Sequence, residues 1–372
     1  MEWNRLLELA SGLRALTPGH VLMIAVGALL IYLAIAREYE PMLLLPIGVG
    51  AILANIPLTG MTEAEGLFAI LYRAGINTEL FPLLIFIGIG AMTDFGPLLE
   101  NPRLVLMGAA GQVGIFGTLL LALSLGFNLN ESAAIGIIGA IDGPTSIYVS
   151  SRLAPHLLPP IAVAAYSYMS LIPLIQPPIM RLLTTERERR VRMAYTSRPV
   201  SKTVRVLFPI IVTLIAGLLA PRAAPLVGTL MFGNLMRESG VVDRLVRASQ
   251  NELTNLTTLF LGLTIGSTMV ASRFLSLETL AILGMGLLAF VLDIAGGILF
   301  GKLAYILSGR TINPLVGAAG ISAFPMAARV VQKVGQEADF SNFLLMHAMG
   351  ANTAGQIASV LAGGVVLALL GG

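Results

Sequence analysis

The sequence of 372 residues contains no cysteine, a single tryptophan and three histidines. The missing thiols exclude disulfides, thiolate nucleophiles, iron–sulfur clusters and cysteine-ligated zinc. His20, His156 and His347 are scattered without metal-ligand spacing, and no Ser-His-Asp order or paired catalytic carboxylates stand out. No G-x-x-x-x-G-K-[ST] run occurs, so the chain does not hydrolyse a nucleotide itself. Charge is scarce too: 12% of residues are Asp, Glu, Lys or Arg, and the net charge is +3. The basic residues gather in loops at the ends of apolar runs, so no nucleic-acid partner is expected.

What fills the chain is apolar sequence: 56% hydrophobic, with a mean hydropathy of +0.86, far outside the range of soluble domains. A full crossing needs about 20 mainly apolar residues. Runs that meet or approach this length in the first half are 20–36, 41–56, 80–92, 104–125, 132–151 and 160–180. In the second half they are 206–220, 226–236, 253–271, 277–299, 313–331 and 342–370. Between the halves, residues 181–205 carry Arg187, Arg189, Arg190, Arg192, Arg198 and Lys202. The positive-inside rule makes this loop cytoplasmic. The predicted organisation is an amphipathic interfacial helix at 1–18, a first membrane half at 19–180, the basic loop, and a second half at 206–372. The fold class is an all-α polytopic membrane protein, read as two related halves in an inverted repeat.

Forty glycines and twenty prolines are placed where they break these runs. The first break, 136–146, reads G-x-x-G-x-x-D-G-P-T from Gly136 through Asp142 to Thr145. The second, 313–329, reads G-x-x-G-x-S-x-x-P from Gly317 through Ser322 to Pro325. Aligned on Gly136 and Gly317, the second glycine and the proline fall in register. Paired discontinuous helices of this kind build substrate and ion sites near the bilayer midplane. A weaker echo pairs Met92, Asp94 and Gly96 with Met236, Glu238 and Gly240.

Asp142 is the first candidate. A carboxylate at membrane depth costs roughly 2.5–3.5 kcal/mol and defaults to a functional reading. Gly143 and Pro144 free carbonyls beside it, and Thr145 and Ser146 add hydroxyls; such oxygens suit a hard cation, and one negative charge suits a monovalent one. The alternative is a wetted helix cap at the membrane surface. Tyr168, with Tyr166 and Ser170 nearby, is either a mid-span residue needing a hydroxyl partner or part of an interfacial belt. Ser322, Asn313 and Arg329 surround the second break, Arg329 as an anion contact or an interface marker. Asn352, among small residues, offers an amide oxygen to an ion or a hydrogen bond to a neighbouring helix. Asp293 and Asp94 are candidates for an ion path or for interhelical contacts, and His347 for a titrating or a packing role.

Five stretches resemble the membrane β subunit of sodium-translocating biotin-dependent decarboxylases, which serve oxaloacetate, methylmalonyl-CoA, glutaconyl-CoA and malonate. They are Asp94-Phe-Gly-Pro-Leu-Leu-Glu-Asn-Pro102, Gly139-Ala-Ile-Asp-Gly-Pro-Thr145, Tyr166-Ser-Tyr-Met-Ser170, Asn313-Pro-Leu-Val-Gly-Ala-Ala-Gly-Ile-Ser322 and Gly350-Ala-Asn-Thr-Ala-Gly355. The resemblance covers residue 80 to the C-terminus. It implies that a carboxyltransferase alpha subunit loads biotin on a separate biotin carrier protein. This chain then decarboxylates carboxybiotin, takes up a proton and exports a sodium ion. It implies Asp142, Tyr168 and Arg329 as residues that carry the reaction, and Arg329 and Asn313 toward carboxybiotin. Toward sodium it implies Asp142, Tyr168, Asn313, Gly317, Ser322 and Asn352. It further implies a small membrane gamma or delta subunit, a homotrimer surrounded by membrane lipid, and a bacterial or archaeal cytoplasmic membrane. The compact N-terminal part fits the acyl-CoA members better than the oxaloacetate ones. The rival reading is a stand-alone sodium/proton antiporter or sodium-coupled carboxylate transporter, which needs no partner.

Overall fold

Small polar caps and prolines decide where the apolar runs turn into helices. The computed structural model describes residues 11–193, 200–274 and 276–371, and all regular structure among them is helical. α1 (Pro18–Ala36) starts where the Thr17 hydroxyl accepts from the His20 amide at 3.3 Å. α2 (Pro41–Ala54), α3 (Leu80–Met92) and α4 (Pro102–Ser124) follow. α5 (Leu129–Gly136) and α6 (Gly143–Leu153) flank the first break, and α7 (Leu158–Ser170) and α8 (Ile172–Leu183) close the first half. The second half contains α9 (Lys202–Leu219), α10 (Ala224–Ser239), α11 (Thr254–Ser267) and α12 (Leu277–Leu307). It ends with α13 (Met326–Ala338) and α14 (Leu345–Leu370).

α1, α4, α9, α12 and α14 are long and apolar enough to cross a membrane, and two bent pairs have the same character. One joins Leu67–Ile76 to α3 at 59°, the other joins Pro155–Met169 to α8 at 68°. The sequence predicts one uninterrupted run at 160–180; Pro173 splits it. A proline ring removes an amide donor and clashes with the carbonyl four residues back, so the helix restarts at Ile172. Conversely, α12 outruns its expected end at 299. Lys302 pairs with Glu188 at 3.4 Å and donates to the Leu183 carbonyl at 3.1 Å, so its charge does not stop the helix. Leu218 and Leu219 are more than 80% exposed, as lipid-facing residues of a polytopic membrane protein are. The interfacial helix expected at 1–18 lies largely outside the described residues, which begin with the short turn Ser11–Arg14.

Glycines fix how the helices cross, because small residues let backbones approach. Gly50 on α2 faces Leu263 and Ser267 on α11, while Gly266 on α11 faces Ile47 and Ala51 on α2. Gly90 on α3 faces Leu230 and Asn234 on α10, while Gly233 on α10 faces Ile87 and Ala91 on α3. The same four-residue spacing thus appears in both pairs. Asn55, after α2, donates to the Met269 carbonyl after α11 at 2.8 Å; Asn234 of α10 donates to the Thr93 carbonyl after α3 at 3.0 Å. Both pairs therefore run parallel. α4 and α12 run antiparallel: Gly114 faces Ala289 and Asp293, and Gly296 faces Ala110 and Val113. The segments 92–96 and 236–240, which echo each other in sequence, also meet in space. These two ends are neighbours on parallel helices, tied by Arg237 to Asp94 at 3.2 Å and to the Thr93 carbonyl at 2.6 Å.

Much of the basic segment is held against the second half. Arg181 pairs with Glu337 at 2.6 Å, and Arg190 donates to the Ala338 carbonyl at 3.2 Å. Arg192 beside Asp339, at 2.7 Å, holds that carboxyl down at about 2. The cap of Lys202, Ser201, is described, whereas Arg198 lies outside the described residues.

Candidate functional site

The first break is built by a 3-10 turn, Ile137–Ala140, and by Ile141 in a left-handed conformation at φ 53°. The chain thereby turns before Asp142 and restarts as α6. Asp142 is the N-cap of that helix. Its carboxylate accepts from the Thr145 hydroxyl at 2.7 Å and the Thr145 amide at 3.4 Å. A negative charge at a helix N-terminus is stabilised by the unpaired amides and the helix dipole. Ser146 donates to the Asp142 and Ile137 carbonyls at 2.9 and 3.3 Å. The hydroxyls next to Asp142 thus serve the fold of the break as well as the carboxylate.

α14 links this break to the second. Ser359 lies within electrostatic reach of the Asp142 carboxylate, donates to the Gln356 carbonyl at 3.0 Å and accepts from the Ser322 hydroxyl. Ser322 is additionally 3.2 Å from the Gly355 carbonyl. Asp142 and Ser322 both line one cavity of about 540 Å³. Tyr166, Gln356, Thr254 and Glu40 line it as well, and among the described residues no lysine, arginine or histidine does. Its rim includes Met42, 54% exposed, and Met92, 44% exposed. One buried carboxylate, hydroxyls and amide oxygens with no basic side chain form a donor set suited to a hard monovalent cation. Among the described residues, no three His, Asp or Glu side chains cluster.

The other residues singled out from the sequence fall elsewhere. Tyr168 donates to the Leu283 carbonyl of α12 at 2.5 Å. The tyrosine in the cavity is Tyr166, whose buried hydroxyl has no partner and whose ring covers Gly143. Asn313 is fully committed to backbone: its amide donates to the Arg189 and Val191 carbonyls at 2.9 and 2.8 Å and accepts from Leu315 at 3.0 Å. Gly317 packs on the Gly297 carbonyl of α12. Arg329 is exposed on α13. Asn352 donates to the Ile321 carbonyl at 2.6 Å, leaving its own buried oxygen unpartnered. Asp293 is fully buried and accepts from the Gly114 amide, which ties α12 to the kink in α4. Asp94 pairs with Arg237, and His347 is buried against the Met193 backbone.

Sequence reading passed over Ser359, Glu40 and two glutamines. Gln112 donates to the Gly320 carbonyl at 3.3 Å, and Gln176 to the Ala318 carbonyl at 3.1 Å. With Asn352, they satisfy carbonyls that the second break removes from helical pairing. A glutamine inside an apolar run was the available signal, since an amide there needs a partner.

Fold and cavity together define a polytopic membrane protein with a buried, cation-suited site between two broken helices. The model of the Na+-transporting oxaloacetate decarboxylase beta subunit family matches residues 19–370, and the chain belongs to this family. It is 56% identical to the methylmalonyl-CoA decarboxylase subunit beta of Veillonella parvula, over 97% of this chain and 95% of that one. It is 54% identical to the glutaconyl-CoA decarboxylase subunit beta of Acidaminococcus fermentans, over 97% of this chain and 96% of that one. Against the oxaloacetate decarboxylase beta chain of Klebsiella pneumoniae it is 49% identical, over 96% of each.

Proposed function

We propose that this chain decarboxylates carboxybiotin presented by a separate biotin carrier and couples that step to sodium export, with uptake of a proton. The observation that carries the reading is Asp142, buried at a helix N-terminus and lining, with Ser322 of the other break, one cavity free of basic groups among the described residues. A bound cation favours the ionised carboxylate and a proton removes its charge, so sodium and proton exclude each other there. Sodium leaves as the proton arrives, and decarboxylation consumes that proton. Export against about 100 mV costs roughly 2.3 kcal/mol per charge, and carboxybiotin breakdown is the exergonic step that offsets it. Ser322, the Asn352 oxygen and Asp142 are the proposed sodium ligands. Tyr168, Asn313 and Gly317 stand outside this set, held by contacts to Leu283, to Arg189 and Val191, and to Gly297. The exposed Arg329 receives the carboxylate of carboxybiotin, for which a planar guanidinium is suited.

The reciprocal glycine contacts of α2, α3, α10 and α11, and the antiparallel crossing of α4 and α12, support the reading of the halves as an inverted repeat. We place the basic segment on the cytoplasmic side of a prokaryotic membrane, with the carboxyltransferase alpha subunit, the biotin carrier and a small membrane subunit as partners of a homotrimer. An acyl-CoA fits better than an oxo acid as the substrate of the complex. The acyl-CoA relatives align over 360 to 387 positions, whereas the oxaloacetate relative needs 417 against a chain of 372 residues.

The test is Asp142→Asn in a reconstituted complex assayed separately for carbon dioxide release and sodium uptake. Both are expected to be abolished while carboxyl transfer to biotin continues, and Asp142→Glu is expected to retain part of both. Normal carbon dioxide release without sodium uptake would make Asp142 a transport ligand only. Sodium transport by the isolated chain without carboxybiotin would favour the stand-alone antiporter or carboxylate transporter instead.

A further inference from the structure

Glu40 is a second carboxylate in the cavity that holds Asp142. It precedes α2 in a left-handed backbone conformation, φ 37° and ψ 61°, and makes no capping hydrogen bond to that helix. Such a conformation is unfavourable for a residue with a Cβ, so the backbone alone would favour glycine here. Its side chain does not serve the helix start that usually explains an acidic residue at this position. The Tyr166 hydroxyl is buried, unpartnered and within electrostatic reach of both Glu40 and Asp142. Two carboxylates therefore face one cavity that has no basic side chain on its wall among the described residues. Such a cavity concentrates cations, because its low-dielectric walls focus the field of both charges.

The mouth of this cavity opens at a definable end of the bundle. Met92 on its rim adjoins Thr93, whose carbonyl accepts from Arg237 at 2.6 Å. Glu238, next in sequence, pairs with Arg205, the last residue of the basic segment, at 3.5 Å. Glu40 thus belongs to the end of the molecule at which that segment lies, and Asp142 to the buried end of the same cavity.

We infer that Glu40 is a mouth-side cation station, where a monovalent cation is held before it passes the Tyr166 hydroxyl to Asp142. The inference rests on the reading of Asp142 as the exchange site and adds the residue that supplies it. A carboxylate at the mouth shortens the distance over which the ion is stripped of water without a counter-charge. The unpaired phenol oxygen supplies a neutral ligand midway.

The experiment uses the whole complex in proteoliposomes, with sodium chloride as the probe and choline chloride holding ionic strength constant. Glu40→Gln is expected to raise the sodium concentration for half-maximal carbon dioxide release about tenfold, and Glu40→Asp about threefold. Tyr166→Phe is expected to raise it by an amount between these two. Equilibrium binding of radioactive sodium to the purified chain in detergent is expected to weaken in the same order. Half-saturation of Glu40→Gln within twofold of the unmodified complex, in both measurements, would overturn the proposal. Should the Gln variant fail to fold, the Asp variant decides: no change in sodium half-saturation overturns the proposal, and a rise supports it. Failure of the decarboxylase reading is separately visible, as an unmodified complex whose rate ignores sodium. In that case the binding measurement alone decides the role of Glu40.

Discussion

The ring of Tyr166 lies over Gly143, the residue after Asp142, so closely that a methyl group at Gly143 would overlap it. The glycine is therefore set by contact as well as by its place at the helix start. Gly143→Ala is expected to destabilise the protein by about 1–3 kcal/mol, as overpacking of a filled site does. Tyr166→Leu in the same chain should return part of that loss by vacating the space. Thermal unfolding in detergent of the two single variants and the double variant checks this; purely additive losses would contradict the contact.

Ser322 donates to Ser359, which lies within electrostatic reach of the Asp142 carboxylate, so the two serines act as one hydrogen-bonded unit. Ser322→Ala and Ser359→Ala are each expected to raise half-saturating sodium by roughly 3- to 30-fold, the scale of one lost hydrogen bond near a charge. Because each removes the same link, the double variant should be little worse than either single one. Sodium titrations of all three give the answer, and full additivity would separate Ser322 from the Asp142 site.

The parts legible in the sequence were those that contradict their surroundings. Asp142 and Ser322 stand beside glycine and proline in lipid-length apolar runs, and the cavity contains both. The all-helical architecture was legible for the same reason, since lipid leaves a backbone few ways to satisfy itself. What stayed hidden depends on helix phase and on distant contacts. Tyr166 and Tyr168 differ by two positions, about 200° of helical rotation, which sends one into the cavity and the other to Leu283. Ser359 resembles any small residue of a membrane helix until α14 is set against both breaks. Asn313 reads as a ligand, yet its amide is spent on the carbonyls of Arg189 and Val191, 124 and 122 residues away.

The absence of cysteine makes any introduced one the sole thiol in the chain. Ser201 caps α9 at the end of the basic segment, which we propose, on the positive-inside rule, to lie in the cytoplasm. Ser201→Cys is expected to resist an impermeant thiol reagent added to intact cells and to react once the membrane is permeabilised. Efficient labelling from outside would reverse the orientation and, with it, the side to which the Glu40 mouth opens.

The amides of Gln112, Gln176 and Asn352 reach the second break from three different helices and donate to the carbonyls of Gly320, Ala318 and Ile321. Any displacement that widens this break must sever them where no bulk water is ready to take their place. At about 1 kcal/mol or more for each bond, the second break is the stiff member of the pair. In the cycle proposed above, ion exchange acts against a fixed frame, and the work of decarboxylation is directed to the ion rather than dissipated in the backbone that surrounds it.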